Sequence, residues 1–410
     1  MKIVEEVLDV QDSMSRLQLA TLCLASLLNG FNDGSLGAIL PYMERDYSIG
    51  YAVVSLIFIG QGIGCLFAAI FLDDLYSSLN QVNVFRIANI AVIMGYVPMM
   101  LASAFPLIPI AFSFVGFGTA INKILWKTIC SHFPNQPFLS EVLYGCYVIG
   151  TIASPLVATA MVTTEGTHWT GFYLINFGLA VAVLALSTWL FRCYEKNLNL
   201  DSSDLQSTAG ISITDIHQTL YTRTVLLGAM LVLAYRGVEA SISGWTIAFL
   251  IDTHTGRPEQ LGFVLASFWA GITVGKFGTY DAEERFGQNH LVYGSIILAF
   301  AFQLLGWFMP NANSTTIMAF AVGAMLGPIY PHVTAIFARP MAGRESSKEM
   351  LTITTIGSLG GAIASFLIGL LTQVVGTTVL HPVVLTLLAI MLICWWGVPR
   401  TDKCCRLRSR

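Results

Sequence analysis

Asn29-Gly30-Phe31-Asn32-Asp33-Gly34 lies inside the first long apolar segment of the chain, and it places an aspartate among residues that otherwise suit a lipid environment. An ionised carboxylate at the centre of a bilayer costs at least about 2.5–3.5 kcal/mol, even on the scales that give the lowest values. Such a residue normally faces the interior of a helix bundle or a water-filled cavity, where it marks the path of an ion or a substrate. The rest of the chain therefore has to provide a bundle around Asp33.

The composition is that of a membrane protein. Of the 410 residues, 55% are hydrophobic and only 11% are charged, whereas soluble domains contain about 25% charged residues. A net charge of −3 gives no argument for nucleic acid as a partner. The eight cysteines lack metal-ligand spacing, and the sequence contains no nucleophile–base set and no glycine loop of the kind that holds phosphates. We therefore expect no metal, no cofactor and no enzyme activity.

Apolar runs long enough to cross a bilayer recur along the whole chain. The predicted fold is an all-α polytopic membrane protein with twelve transmembrane helices in two six-helix bundles. The predicted spans are Leu17–Leu40, Ile49–Leu72, Val82–Ala104, Pro106–Trp126, Glu141–Val162, Thr170–Phe191, Val225–Ile251, Gln260–Thr279, Leu291–Met309, Thr315–Phe337, Leu351–Val375 and Pro382–Val398.

One long polar connection, Arg192–Thr224, divides these spans into six and six. Two halves of this kind are typical of transporters built from structural repeats around a central site. Most lysines and arginines fall on the side of the chain termini, which predicts cytosolic termini and a cytosolic linker, in the plasma membrane or an internal membrane such as the vacuole. The predicted parts are a cytosolic tail (1–16), the first bundle (17–192), the linker (193–223), the second bundle (224–399) and a basic cytosolic tail (400–410).

Polar residues in the first span form the leading candidate site. Asn29 and Asp33 are four residues apart and share one helix face, with Asn32 beside them. In the functional interpretation, Asp33 accepts a proton or binds the substrate. In the structural interpretation, it caps a broken helix and hydrogen-bonds to its own neighbours.

The seventh span carries the second candidate cluster. Arg236 and Glu239 are three residues apart on a helix, so they can pair and lower the cost of two charges in a low dielectric. If the halves are repeats, this helix corresponds to the first one, and Glu239 lies at a depth comparable with that of Asp33. The alternative is a purely structural ion pair. Trp245, one turn and a half further on, either stacks on a flat ligand or packs within the bundle.

Further candidates lie at broken or small-residue stretches. Asn122 is predicted to contact a polar cavity, whereas Lys123 beside it is expected to extend to the cytosolic surface. Pro328 and Pro331 predict a broken tenth helix, which makes Tyr330 and His332 cavity candidates. A single histidine of this kind is also a common structural hydrogen-bonding group. Gly150 and Pro155 form a kinked, small-residue stretch that favours close and movable packing.

The chain resembles the major facilitator superfamily, and within it a fungal group named after the bypass-of-stop-codon proteins, which is related to fucose–proton symporters. The segments that carry the resemblance are Asn32–Gly34 with Leu40-Pro41, Tyr51–Phe58, Gly116–Gly118, Gly150–Thr159, Gly237–Glu239 with Gly244-Trp245, Gly271 with Gly275-Lys276, Gly327–Pro331 and Val398–Arg400.

This resemblance implies two six-helix bundles, alternating access, and proton coupling through a first-helix aspartate, which is Asp33. Ile121 occupies the position of the second coupling acid of the pattern, so coupling through two acids would rest on Asp33 and Glu239. Charges near the cytosolic ends of helices are implied to lock one state of the transport cycle. Here these are Asp73, Asp74 and Lys276.

The predicted function is secondary active transport of a small polar, sugar-like solute by alternating access, with protons as the driving ion. Two alternatives stay open: efflux of a metabolite or drug by proton antiport, and a non-transporting membrane receptor or scaffold on a transporter fold. The expected partners are a small-molecule substrate, protons and the lipid bilayer around a monomer, without nucleic acid.

Overall fold

The computed structural model describes residues 16–131, 136–163, 167–190, 222–253, 260–278, 287–309, 311–338 and 344–398. The described residues form fourteen α-helices and one short 3₁₀ segment, Thr377–Val379. The helices are α1 (Arg16–Tyr47), α2 (Tyr51–Val54), α3 (Leu56–Ser78), α4 (Gln81–Met100), α5 (Leu107–Ser131), α6 (Gln136–Thr163), α7 (Thr170–Leu190), α8 (Arg223–Asp252), α9 (Leu261–Gly278), α10 (Gln288–Phe308), α11 (Ala312–Leu326), α12 (Ile329–Ala338), α13 (Arg344–Val375) and α14 (Leu380–Gly397).

These helices confirm the predicted all-α membrane fold with twelve spans. The second span consists of α2 and α3, which meet at Ser55, and the tenth consists of α11 and α12, which meet at Gly327 and Pro328. Within the part of the chain that the structure describes, eleven spans are long and apolar enough to cross a membrane. The remaining span is α1, which has Asn29, Asn32 and Asp33 at its centre and therefore a lower mean hydropathy. The predicted linker lies almost entirely outside the described residues.

The same packing pattern occurs in each half of the chain. In the first half, α1 packs on α6 and α3 packs on α5; in the second half, α8 packs on α13 and α9 packs on α11. Glycines allow each of these pairs to approach closely: a Cβ on Gly30 would lie 2.0 Å from the Tyr147 carbonyl oxygen, and one on Gly360 would lie 2.0 Å from the Leu233 carbonyl oxygen. The repeated pattern places α1 and α8 in equivalent positions.

The two halves contact each other where α1 and α8 end, which we call the distal side; the proximal side is the one on which α1 begins. There the Tyr51 hydroxyl donates to Asp252 Oδ1 at 3.1 Å. Gly37 lies against the backbone of Ser243, from α8. Trp245 is buried in the same contact, with its ring centroid 5.7 Å from that of Tyr51. The halves are therefore closed against each other on the distal side.

Candidate functional site

Asp33 lies near the middle of α1 and is bound by two neighbouring helices. Its Oδ2 atom pairs with Lys123 Nζ of α5 at 2.5 Å and accepts a hydrogen bond from the Tyr147 hydroxyl of α6 at 2.8 Å. The close approach at Gly30 and Gly34 brings α6 near enough for Tyr147 to reach the carboxylate. The Asp33 charge is thus neutralised inside the first half rather than by its own helix.

Asn32 connects the carboxylate to a third helix. Its Nδ2 donates to Asp33 Oδ1 at 3.4 Å, and its Oδ1 accepts a hydrogen bond from the Tyr96 hydroxyl of α4, also at 3.4 Å. Both Asn32 and Tyr96 are buried. This arrangement fixes the orientation of the carboxylate, since each of its oxygens has a donor.

The sequence led us to expect that Lys123 extends to the membrane surface on the proximal side, but the structure shows a different position. The side chain turns toward Asp33, with Nζ 5.5 Å from the centre of the Tyr147 ring. A cation over a tyrosine face is stabilised by the ring quadrupole. The pairing with Asp33 and this ring contact are what the structure shows in place of the expected position at the membrane surface.

The second half presents a corresponding charged pair. Arg236 Nη1 donates to Glu239 Oε2 at 2.8 Å, the interaction predicted from their spacing on α8. The Arg236 guanidinium lies over the ring of Tyr330 at 5.3 Å. The rings of Tyr235 and Tyr330 are 5.7 Å apart. The break between α11 and α12 therefore places Tyr330 beside the ion pair.

The two pairs border one common region between the halves. Tyr147 interacts electrostatically with Asp33 and also with Arg236 and Glu239. Cys65 of α3 interacts in the same way with Asp33, Lys123 and Arg236. Tyr147 and Cys65, both in the first half, thus interact electrostatically with charged groups of both halves.

Within each pair, the cation is more accessible than the acid. The side chains of Lys123 and Asp33 are 39% and 16% exposed, and those of Arg236 and Glu239 are 41% and 11% exposed. The Lys123 ammonium group lies over the Tyr147 ring, and the Arg236 guanidinium lies over the Tyr330 ring. The more accessible charged groups at the centre are therefore the ammonium group of Lys123 and the guanidinium group of Arg236.

A further contact crosses the boundary nearer the proximal side. Lys276 of α9 donates to the Tyr144 hydroxyl of α6, and its ammonium group lies over the Tyr144 ring at 4.1 Å. The rings of Tyr144 and Tyr147 are 6.1 Å apart. Lys276, predicted as a conformational residue, therefore joins the two halves directly.

The other predicted ligand residues lie deeper in the protein. Asn29 and Asn122 are buried, and their amide atoms have no hydrogen-bond partner among the residues that the structure describes. His332 is buried and its Nδ1 lies 2.7 Å from the Pro328 carbonyl oxygen. Trp245 donates to the Ser365 carbonyl oxygen at 3.1 Å and belongs to the distal contact.

The predicted conformational residues occupy several different environments. A Cβ on Gly150 would lie 2.3 Å from the Leu27 carbonyl oxygen, so Gly150 belongs to the α1–α6 contact. Pro155 contributes its carbonyl oxygen to a contact between the halves, at Gly262 of α9. Pro328 is buried and Pro331 is exposed on either side of Tyr330. Asp74 is exposed near the end of α3, and the side chain of Asp73 lies outside the described residues.

An acidic group on the distal side has a perturbed pKa. Asp46, near the end of α1, accepts a hydrogen bond from Trp169 Nε1 at 3.0 Å and lies 3.1 Å from His168 Nε2. The Trp169 hydrogen bond, with a smaller effect of His168, holds the pKa of the Asp46 carboxyl below its ordinary value. Both partners immediately precede α7, so this contact ties the distal end of α1 to the distal start of α7.

Two equivalent helix bundles, closed against each other on one side around charged side chains, define the chain as a multi-pass membrane protein with a transporter fold. The sequence model of the Major Facilitator Superfamily matches residues 22–255. The chain belongs to this superfamily, which is a family of transporters rather than of enzymes.

Relatives and solved structures agree with this assignment. The chain is 22% identical to bypass of stop codon protein 6 of Saccharomyces cerevisiae over 95% of this chain and 83% of that protein. It is 23% identical to the 4-hydroxybenzoate transporter PcaK of Acinetobacter baylyi, over 42% of this chain and 39% of that protein. The structure of the nucleoside transporter NupG superposes with a TM-score of 0.74 at 11% identity, covering 94% of this chain and 100% of that one. The E. coli fucose–proton symporter FucP superposes with a TM-score of 0.62 at 14% identity, covering 94% and 99%.

Proposed function

We propose that the protein is a secondary active transporter that moves a small polar solute by alternating access, with proton coupling through Asp33. The observation that carries the proposal is the position of Asp33. It is held by Lys123 and Tyr147 within the first half, and Tyr147 also interacts with the Arg236–Glu239 pair of the second half. An ionisable residue inside a membrane span is a functional-site hypothesis by default.

The coupling follows from the cost of a charge in a closing cavity. While the space between the halves is open, water and Lys123 compensate the Asp33 carboxylate. Closure removes the water, and the ionised Asp33 carboxylate then relies on Lys123 and its hydrogen bonds alone, which makes the ionised form more costly. Protonation removes this cost, so the occupied and protonated protein changes its conformation more readily than the empty, ionised one.

The substrates named for the relatives support a small solute that carries polar groups. They include a nucleoside for NupG, fucose for FucP, xylose for the D-xylose–proton symporter, which superposes with a TM-score of 0.72, and 4-hydroxybenzoate for PcaK. Tyr144, Tyr147, and Tyr330 give the proposed site hydroxyl groups and flat ring faces. Such groups suit hydroxylated or planar solutes.

The first experiment identifies a solute. The purified protein is screened by thermal shift against sugars, polyols, amino acids and organic acids, because a compound that binds the folded state raises the melting temperature. A compound that does so is then offered to proteoliposomes with an imposed pH gradient, and both net uptake and counterflow exchange are measured.

Asp33→Asn tests the coupling. We expect this variant to lose accumulation driven by the pH gradient and to retain counterflow exchange, since the amide cannot release a proton. Glu141→Gln, an exposed change near the start of α6, is the matched control and should retain both activities. Equal gradient-driven accumulation by the Asp33→Asn variant would remove Asp33 from the coupling mechanism.

The same proteoliposomes separate the alternatives. A gradient that expels the solute instead of accumulating it identifies proton antiport. Binding without any saturable flux identifies a receptor on a transporter fold.

A further inference from the structure

The two central ion pairs differ in a way that constrains the charge of the substrate. Each half holds one cation and one acid, so the two pairs together carry no net charge. Their more accessible parts are nonetheless cationic, because the half-buried side chains of Lys123 and Arg236 are 39% and 41% exposed, whereas those of Asp33 and Glu239 are 16% and 11% exposed. A neutral site that displays positive groups favours an anion that can share those groups.

We propose that the substrate is a small organic carboxylate, and that it binds by competing with Asp33 for Lys123. This inference rests on the proposed transport function and specifies its substrate class and its coupling step. Lys123 keeps 39% of its side chain exposed while it pairs with Asp33, so an anion can approach the ammonium group before Asp33 is displaced. In the proposed binding mode, Arg236, the second accessible cation at the centre, provides a further contact for the anion.

Competition for Lys123 creates the need for a proton. An ammonium group that is shared with a substrate carboxylate neutralises Asp33 less completely, and the covered Asp33 carboxylate then costs more in its ionised form. A proton taken up on Asp33 restores a neutral site. One anion and one proton therefore bind together, and the step that carries them across the membrane moves no net charge.

Other groups around Asp33 influence how readily its carboxylate takes up the proton. Tyr147 donates to the same oxygen, and Asn32, oriented by Tyr96, contacts the other oxygen. The titratable and charged groups that interact with the carboxylate are Cys65 on α3, Tyr96 on α4, Lys123 on α5 and Tyr147 on α6. Tyr147 also interacts with the Arg236–Glu239 pair of α8.

The test uses compounds that differ in charge but share a scaffold. One series is glucose, glucuronate and glucosamine, and the other is benzyl alcohol, benzoate and benzylamine. A wider set of small carboxylates, including lactate, succinate and 4-hydroxybenzoate, is screened in parallel with the full-length protein in detergent. We expect a carboxylate to raise the melting temperature by about 2–5 °C at concentrations well above its dissociation constant, and the neutral and cationic members of its series to have no such effect.

Variants then assign the binding to Lys123. Lys123→Gln should abolish the shift, and Lys123→Arg should retain it, because arginine keeps the charge. Arg223→Gln removes an exposed cation at the start of α8 and should leave the shift unchanged. Asp33→Asn should tighten carboxylate binding by about tenfold and make it independent of pH, since the competing carboxylate is gone. A direct substrate-binding role for Asp33 predicts the opposite, a loss of affinity.

Several outcomes would overturn the proposal. These are a neutral or cationic compound that stabilises the wild-type protein and still stabilises Lys123→Gln, weaker carboxylate binding by Asp33→Asn, and a complete absence of shifts from the carboxylates. Failure of this inference is distinguishable from failure of the proposed function. Proton-coupled transport of a neutral solute would refute the proposed substrate class and leave the transport function standing. Binding of a carboxylate at Lys123 without any flux would refute the transport function and leave the binding site standing.

Discussion

Gly37 provides the sharpest test of the distal contact, because a single methyl group added there meets an atom that cannot rotate away. A Cβ at this position would lie 1.8 Å from the Ser243 carbonyl oxygen and 3.0 Å from the Gly244 Cα atom. Gly37→Ala otherwise favours helix formation by about 0.5–1 kcal/mol. Any loss of the closed state therefore arises from the contact with α8 and not from weakening of α1.

The size of the effect follows from the overlap. α1 and α8 would have to move apart by about 1.5–2 Å to restore a normal contact of about 3.5 Å. Overpacking of this kind costs about 1–3 kcal/mol. Because the penalty applies only while the distal side is closed, the ratio of distally open to distally closed molecules should rise by about 5- to 150-fold.

Spin labels on the distal ends of the two halves measure this ratio. Arg45→Cys in the first half and Val374→Cys in the second half are exposed positions, introduced after replacement of the native cysteines by serine. Double electron–electron resonance on this parent should give a short distance, and addition of Gly37→Ala should shift the distribution to longer distances. Gly178→Ala, where a Cβ meets nothing within 4 Å, is the control. A Gly37→Ala distribution that coincides with that of the parent would refute the reasoning.

Three further predictions concern stability. The pKa of Asp46 is lowered by the Trp169 hydrogen bond, so the ionised carboxylate stabilises the fold fully above the ordinary aspartate pKa of about 3.9. This stabilisation is lost as the pH falls through the lower folded-state pKa. Melting temperatures measured between pH 6 and pH 2 should therefore fall less steeply for Asp46→Asn than for the wild-type protein, and the same pH dependence in both proteins would contradict the prediction. Arg236→Gln leaves the largely buried Glu239 carboxylate without its cation, so this single change should lower the melting temperature more than the double change Arg236→Gln with Glu239→Gln does. The loss of unfolding free energy in the single variant should be smaller than the about 3–5 kcal/mol of a fully buried pair, because Arg236 is partly exposed. Gly150→Val introduces a Cβ 2.3 Å from an α1 carbonyl oxygen and should cost about 1–3 kcal/mol without lengthening the distal spin-label distance, because both helices belong to the first half.

Hydrophobic length predicted the helices well, because each span must satisfy its own backbone in lipid. The sixth span, for example, was expected at Thr170–Phe191 and is observed at Thr170–Leu190. The first span shows the limit of this signal. It was expected to end at Leu40, yet α1 continues to Tyr47 through Glu44, Arg45 and Asp46. Apolar length indicates where a helix lies in lipid, whereas hydrogen bonding and packing beyond the lipid decide where it ends.

The charged residues at the centre were predictable for a different reason. Asp33, Arg236 and Glu239 interrupt apolar segments, and the i, i+3 spacing of the last two predicted their pairing. Lys123 was not assigned to the site, because a lysine near the end of an apolar span commonly extends to the membrane surface. Its pairing depends on the distance between α1 and α5, which the sequence of neither helix specifies.

Tyr144 and Tyr147 were also not predicted as site residues, although the sequence contains a signal for Tyr147. Tyr147, Gly150 and Ser154 lie at helical spacing on one face of α6, and that face contacts Gly30 and Gly34 of α1. A glycine face on a span that carries an aspartate indicates which neighbour will approach it. Tyrosines on the facing helix are then candidates for hydrogen bonds to the acid, as Tyr147 is.

The distribution of the central charges between the halves explains how such a protein can change conformation at low cost. Asp33 pairs with Lys123 inside the first half, and Glu239 pairs with Arg236 inside the second half. Had each acid found its cation in the opposite half, every opening of the centre would break a poorly solvated ion pair, and loss of one partner from a buried pair costs about 3–5 kcal/mol. With the pairs contained in each half, the halves can separate while every carboxylate keeps its counterion. The free energy that holds the distal side closed is then left to neutral packing such as Gly37 against Ser243 and to the hydrogen bond between Tyr51 and Asp252. These contacts are weak enough individually for substrate binding to shift the balance between the two states.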